Sequence, residues 1–280
     1  MTLSIYDGLP EVKDLLNSAN IVAKKSLGQN FLIDLEVTDG IVQSIPNIEN
    51  KIIVEIGAGA GTLTRSLLKH NPQKVIAIEI DERAIAIQSQ ISNHYPDKLK
   101  IINKDALTFT HDDYMKITNS KDFYICANLP YNISIPLLIN WLYQIFYYKK
   151  ISGMTLMFQK EVANRITANI TNKSDYGRIS VLSNFICNTK QLFDVSKNCF
   201  YPSPKVLSTV VNFIPLTNFI YNEIDIKKLD FVVKTLFANR RKMIRGIVKD
   251  NKIFGELKID ATKRAEDLSI LDFCKLSKFF

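Results

Sequence analysis

The sequence predicts a doubly wound, mainly parallel α/β sheet of Rossmann-like type, followed by a small C-terminal all-helical domain. Three observations predict it. Short apolar runs alternate with helix-length segments through the first half of the chain, the pattern of a parallel sheet with covering helices. A glycine-rich turn, Gly57, Gly59 and Gly61, joins the first such run to the first helix. Beyond Pro215 the apolar residues recur three and four apart, which is helical spacing. A chain of 280 residues with 46% hydrophobic content can bury a sizeable core. At roughly 100 to 200 residues per domain it holds one large domain and one small one. The expected division is residues 1–215, with 1–23 as an N-terminal extension, and residues 216–280.

The elements follow in order. Lys51 to Ile56 reads as a strand and Thr62 to Lys69 as a helix, with Leu63, Leu67 and Leu68 on one face. Val75 to Ile80 is a second strand, with a helix from Glu82 to Ser92 after it. Leu99 to Ile102 and Phe123 to Ala127 supply two more strands. Ile135 to Tyr148 is the most apolar stretch, but it contains Asn140 and Gln144 and falls short of the roughly twenty residues that span a bilayer, so it reads as a buried helix. Gly153 to Phe158 is predicted as a strand, Lys160 to Ile170 as a polar-faced helix, and Ile179 to Cys187 and Val206 to Phe213 as strands punctuated by Pro202 and Pro204. Ile226 to Phe237 and Arg240 to Lys249 are predicted helices.

Composition narrows the function classes. The first twenty residues hold Asp7, Glu11 and Asp14 against Lys13, without the basic segment and apolar run of a secretory signal. Cys126, Cys187, Cys199 and Cys274 are scattered, with no C-x-x-C pair and no histidine nearby, so neither a zinc site nor a disulfide framework is indicated and no metal is expected. A cytoplasmic chain with reduced thiols, without membrane association, is the expectation. Asn132-Ile133-Ser134 and Asn169-Ile170-Thr171 match the glycosylation pattern, which matters only in a secreted chain. The formal charge of +8 suggests a polyanionic partner, although a Lys-, Ile- and Asn-rich composition also arises from genome bias. Residues 216–280 hold 14 Lys or Arg against 9 Asp or Glu, so the C-terminal domain carries over half of the excess.

The run VEIGAGAGTLT at 54–64 places glycines where missing side chains let the backbone approach a nucleotide, or where a tight turn simply requires them. Glu79, at the end of the second strand, can accept hydrogen bonds from both ribose hydroxyls. This pair alone does not separate a dehydrogenase from an S-adenosylmethionine-dependent methyltransferase. Asp105, ending the third strand, suits the cofactor's adenine amino group, or a helix cap. Asn128-Leu129-Pro130-Tyr131 then ends the fourth strand, where open α/β sheets bind ligands. The tetrapeptide fits methylation of the exocyclic amino group of adenine. That nitrogen is a poor nucleophile because its lone pair is delocalised into the ring. The Asn128 side-chain oxygen and the Leu129 carbonyl can accept its two hydrogens and turn the lone pair toward a sulfonium methyl. Pro130 fixes the turn, and Tyr131 offers a stacking face worth roughly 1 to 3 kcal/mol per base.

Several runs together resemble the small-subunit ribosomal RNA adenine N6,N6-dimethyltransferases, the KsgA family, whose relatives include the Erm methyltransferases and mitochondrial transcription factor B. The resemblance spans about residues 24–245 and rests on KKSLGQNFL at 24–32, VEIGAGAGTLT at 54–64, IEID at 78–81, DA at 105–106, NLPYNIS at 128–134, FQKEVANRI at 158–166, YGRISVL at 176–182, FYPSPKVLSTVV at 200–211 and FANRRKMIR at 237–245. It implies a class I methyltransferase sheet. It implies cofactor contact by Asn30, Leu32, Gly57, Gly59, Glu79, Asp105 and Asn128, with S-adenosylmethionine as donor and S-adenosylhomocysteine as product. Phe200 resembles the second aromatic wall of the base slot, opposite Tyr131, with a core phenylalanine as the alternative. The implied substrate is a pair of adjacent adenosines in the 3′-terminal hairpin loop of 16S ribosomal RNA, each dimethylated at N6 by a monomeric enzyme acting on a precursor 30S particle. Unpaired loop bases cost least to flip. Arg240, Arg241 and Lys242 resemble the family's basic helix. Lys24, Lys25, Lys160, Arg165, Arg178 and Lys205 are candidate phosphate contacts, each with an ordinary surface charge as the alternative. An Erm-like enzyme acting on large-subunit RNA would share every catalytic residue, and an RNA-binding factor that kept the fold is the non-enzymatic rival.

Overall fold

The computed structural model describes residues 4, 7–19, 21, 23, 29–217 and 223–280. In chain order its elements are α1 (Val12–Ser18), β1 (Phe31–Leu32), α2 (Leu35–Gln43), β2 (Ile52–Ile56), α3 (Thr62–Lys69), β3 (Lys74–Glu79), α4 (Glu82–His94), β4 (Leu99–Asn103), α5 (His111–Thr118), β5 (Phe123–Asn128), α6 (Tyr131–Tyr148), β6 (Ile151–Gln159), α7 (Lys160–Thr167), α8 (Arg178–Ile186), β7 (Cys187–Val195), β8 (Phe200–Tyr201), β9 (Ser208–Pro215), α9 (Ile226–Ala238), α10 (Lys252–Leu257) and α11 (Ile270–Ser277). By contacts the chain forms two compact units, 1–160 with 190–214, and 161–189 with 215–280.

Seven strands make one sheet in the order β4-β3-β2-β5-β6-β9-β7. The pairs from β4 through to β6 are parallel, and β9 joins β6 antiparallel. The sequence cause is plain in β2, where all five residues of Ile-Ile-Val-Glu-Ile are buried, as a parallel strand covered on both faces requires. The chain builds outward from β2 to β3 and β4, then returns to lay β5 on the other side of β2. Strand order reverses there, and open α/β sheets bind ligands outside the carboxyl ends of the strands at that switch. Capping residues fix the helix starts: Asp34 accepts from the N–H groups of Glu36 and Val37, and Thr110 with Asp113 forms a reciprocal capping box on α5. The apolar run after the tetrapeptide lies within α6, which buries Leu137, Leu138, Trp141 and Leu142. Among the described residues no helix is long and apolar enough to cross a membrane.

The N-terminal extension belongs to the core. Leu9, Val12, Leu15, Leu16 and Ile21 join the same apolar cluster as Ile41 and Val42 of α2 and Leu63, Leu67 and Leu68 of α3. Arg65 of α3 is fully buried and clasps Asp7 with its guanidinium fork, Nε donating to Oδ2 at 2.6 Å and Nη2 to Oδ1, while Nη1 donates to the Pro10 carbonyl at 2.9 Å. Breaking a buried pair by deleting one partner leaves an uncompensated charge, a loss of about 3 to 5 kcal/mol. Asp7→Ala is therefore expected to lower the unfolding free energy from urea titration by an amount in that range, and an unshifted midpoint would show that the clasp contributes nothing to stability.

The second unit is helical, with α8 and α11 packed on α9. Arg178 holds Asp230 through two bonds of 2.6 and 2.7 Å. Tyr176 meets the ring of Phe237 edge-on, and Phe237 stacks on Phe273. Two predictions from sequence fail here. Residues 179–187 are predicted as a strand, yet Arg178–Ile186 is α8, and the strand that follows is β7. Ser180, Val181, Leu182, Ser183, Phe185 and Ile186 are all buried, so the helix shows no clean apolar stripe, and β-branched Ile179 and Val181 imitate a strand. Ser180 settles the conformation, its hydroxyl accepting from the Gly177 N–H and donating to the Arg165 carbonyl. Residues 240–249 are predicted as a helix, and the RRK run as a basic helix. The chain instead turns after Asn239 and makes one 3-10 turn, Ile244–Gly246. The N–H groups of Ile244 and Arg245 go to the carbonyls of Lys263 and Ala261 rather than back along a helix. The same unit takes in 161–189, whereas sequence alone places everything before residue 216 with the sheet. The reason is the packing of α8 on α9, a pairing that local patterning does not encode.

Candidate active site

Strand register brings the sequence motifs together. Ile56 pairs with Ile78 on one side and Ala127 on the other, so Gly57, Glu79 and Asn128, each the next residue along, emerge side by side at the carboxyl edge. Glu79 in turn pairs with Asn103, two residues before Asp105. One pocket is lined by Asn30, Leu32, Gly57, Gly59, Glu79, Asp105, Asn128, Leu129, Pro130, Tyr131 and Phe200. Every predicted cofactor and catalytic residue is thus in the same cavity.

The glycine loop is shaped for close approach. Gly57, Gly59 and Gly61 have φ of 70°, 51° and 83°, a region that strains other residues. A Cβ on Gly61 would lie 2.2 Å from Ile91 Cδ1 of α4, so this glycine serves helix packing, while Gly57 and Gly59 face the pocket. Glu79 is 5% exposed and rigidly held. Its Oε2 accepts from the Gly59 N–H, and its Oε1 from the N–H groups of Ile80 and Asp81, each at 2.8 Å. Burial raises its carboxyl above the usual range, and the three amides oppose that rise. Asp105 accepts from the Leu107 N–H through Oδ1, which makes it the cap of a short turn as well as a pocket residue.

Asn128 ends β5, and Pro130 is the N-cap residue of α6, with φ −55° and ψ 131°. Tyr131 opens α6, and its hydroxyl lies 2.8 Å from that of Ser208. Phe200 sits on β8, which pairs antiparallel with β1, Leu32 opposite Phe200 and Phe31 opposite Tyr201. The NFL and FYP motifs, far apart in sequence, are therefore stitched into one ribbon at the pocket. Thr62, the first residue of α3, pins that ribbon by donating to the Leu32 carbonyl at 2.5 Å.

Sequence reasoning overlooks several residues in and beneath the pocket. Gln29 donates to Asp81 at 3.0 Å, tying the N-terminal motif to the end of β3, and Arg83 with this bond holds the Asp81 carboxyl down at about 2. Gln29 sits inside a motif already singled out, so its neighbourhood was a usable signal. Glu55 is fully buried under the loop, and burial pushes its carboxyl up to about 8 although Thr64 donates to it at 2.7 Å. Gln88 of α4 donates to the Ala58 and Gly59 carbonyls and to Thr64, bracing the loop from beneath. Nothing local marks Gln88, because its partners lie 24 to 30 residues away.

The candidate RNA contacts divide by what they touch. Lys160 is engaged with Asp194 and Gln191, Arg165 with Glu161, Arg178 with Asp230, and Arg240 with Glu266 and the Lys173 carbonyl. Lys205, Arg241 and Lys242 are exposed and form no ion pair among the described residues. Lys24 and Lys25 lie outside the described residues.

A family profile described as "Ribosomal RNA adenine dimethylase" matches residues 20–280. A protein of Bartonella henselae named "Ribosomal RNA small subunit methyltransferase A" is 44% identical, over 97% of this chain and 98% of its own length. One of the same name from Bradyrhizobium diazoefficiens is 41% identical, over 99% of this chain and 97% of its own. Among solved structures, a dimethyladenosine transferase from Plasmodium falciparum superposes with a TM-score of 0.74 at 26% identity, covering 87% of this chain and 94% of that one.

Proposed function

The chain belongs to the ribosomal RNA adenine dimethylase family, and from that premise we propose that it transfers methyl groups from S-adenosylmethionine to N6 of two adjacent adenosines in the 3′-terminal hairpin loop of 16S ribosomal RNA. The observation that carries the reading is the convergence of Asn128, Leu129, Tyr131 and Phe200 with the Gly57 loop and Glu79 in one pocket. The lining fits S-adenosylmethionine: glycines at positive φ leave room beside the backbone, and a fixed carboxylate waits at ribose position. When bound, the donor supplies an electrophilic methyl on a sulfonium that is itself a good leaving group, so no metal is assigned a role.

The residues then divide the work. Glu79 accepts from the ribose hydroxyls, and Asp105 from the cofactor's adenine amino group. Tyr131 and Phe200 hold the flipped target base between their rings. Asn128 Oδ1 and the Leu129 carbonyl accept the two N6 hydrogens, localise the lone pair and stabilise the positive charge that grows as the N–C bond forms. One N6 proton then leaves to water. Alignment of this kind can supply roughly 7 to 11 kcal/mol of a barrier.

The substrate form we infer is a precursor 30S particle, met by a monomeric cytoplasmic enzyme. The sheet-bearing unit, 1–160 with 190–214, is the catalytic part, and the unit that holds the basic residues 216–280 binds RNA, with Arg241 and Lys242 exposed and in no ion pair among the described residues and Lys205 beside Phe200's motif. The test is mass spectrometry of 16S ribosomal RNA from cells lacking and then regaining the gene. Two dimethyladenosines are expected to vanish and return. Their persistence in the deletion strain, or loss of a 23S modification in their place, would overturn the assignment.

A further inference from the structure

Resting on that reading, we propose that Ser208 is the positioning residue that holds the Tyr131 ring in register with the target base, and that it matters more for the second methyl transfer than for the first. Ser208 is fully buried at the start of β9, and its hydroxyl lies 2.8 Å from the Tyr131 hydroxyl across 77 positions of sequence. The serine is itself held by the strands around it. It pairs with Gln159 in the β6–β9 ladder. On one side of it the Leu207 carbonyl accepts from the Lys160 N–H at 2.9 Å, and on the other the Thr209 hydroxyl donates to Asp194 at 2.8 Å. Asp194 is in turn paired with Lys160. The tyrosine is half-buried, at the first position of α6, with its ring on the pocket. Helix geometry fixes only its Cα and Cβ. The bond to Ser208 fixes the far end of the ring, so the aromatic wall is held at two points, one in α6 and one in the sheet.

A wall held this way sets the angle of whatever base stacks on it. The first transfer starts from an amino group with two hydrogens, which Asn128 and the Leu129 carbonyl can both hold. After it, N6 has one hydrogen and a methyl group, so one of those two anchors is lost and the methyl must be turned out of the way. Stacking then carries a larger share of the alignment. A ring released at its hydroxyl end tilts more freely, and reaction geometry worsens steeply with small displacements. The second transfer, with one anchor already gone, is the one that suffers more.

The experiment uses the full-length enzyme with 30S particles from a strain lacking the modification, and follows mono- and dimethyladenosine separately with time. Ser208→Ala is expected to slow the second transfer about five- to ten-fold, the size of one lost hydrogen bond, and the first about two-fold or less, so monomethyladenosine accumulates. Affinity for S-adenosylmethionine is expected to stay at the wild-type value. Tyr131→Phe removes the same bond from the other side and keeps the ring, so it should give the same product ratio, and the double variant should be no worse than either single one. A wild-type mono-to-dimethyl ratio in Ser208→Ala would overturn the proposal. So would equal slowing of both transfers together with a lower melting temperature, or additive effects in the double variant. The wild-type enzyme in the same assay separates the two levels: if it forms no dimethyladenosine, the proposed function fails, and if it does, only the role of Ser208 is at stake.

Discussion

Asn128→Ala is expected to abolish detectable methyl transfer while leaving affinity for S-adenosylmethionine within a few fold. Asn128 stands at the last position of β5, with its backbone paired to Met157, so the strand holds it whatever its side chain. Among the described residues its side-chain amide makes no hydrogen bond, so truncation breaks nothing that supports the fold. On the proposed mechanism, what is lost is an acceptor aimed at the charge that develops as N6 is alkylated. Removing one such preorganised group typically costs about 10²- to 10³-fold in rate. The loss should fall mainly on kcat, since a contact that strengthens as charge develops stabilises the transition state more than the bound ground state. Methyl incorporation into undermethylated 30S particles, with calorimetric titration of the cofactor, measures both halves. An active variant would remove Asn128 from the chemistry.

Glu79→Ala should act in the opposite order, through binding. Hydrogen bonds to a charged group are worth about 1.5 to 3 kcal/mol each, so losing the acceptor for two ribose hydroxyls should weaken the cofactor about 10²-fold or more. The structure adds a second consequence. The same carboxylate holds the N–H groups of Gly59, Ile80 and Asp81, and alanine leaves all three without that acceptor, the Asp81 N–H in a buried place. The loop then loosens even without ligand, so the melting temperature of the free protein should fall as well. Glu79→Gln separates the contributions, because it keeps the size and one acceptor oxygen but turns a donor toward a site built from donors. Unchanged cofactor affinity in both variants would take Glu79 out of the ribose role.

Much of this pocket was legible in the sequence, because the chemistry sits at strand ends. β2, β3 and β5 are largely apolar runs that end against a glycine or a polar group, so Gly57, Glu79 and Asn128 announce themselves, and Asp105 stands two residues beyond the end of β4. The family resemblance supplied Asn30, Leu32 and Phe200, for which periodicity offers no clue. The pairing of Leu32 with Phe200 explains that silence: a two-residue strand is too short to leave a pattern, and its partner is remote. Buried helices were hard for the opposite reason. In α8 nearly every face is covered, so apolar spacing loses its period. After Asn239 the chain departs from helix because residues 261–263 compete for its N–H groups, and no residue in the RRK run signals that competition. Ser208 and Gln88 were invisible because each acts on a partner far along the chain.

The clasp between Asp7 and Arg65 bears on where this protein can be cut. The family profile begins at residue 20, which invites an expression fragment starting there. Such a fragment would strip Leu9, Val12, Leu15 and Leu16 from the shared core. It would also leave the Arg65 guanidinium, on the helix that carries the glycine loop, facing an apolar hollow with no counter-charge. The start of the family profile and the start of the folding unit are different residues in this chain, and the second lies at or before Asp7.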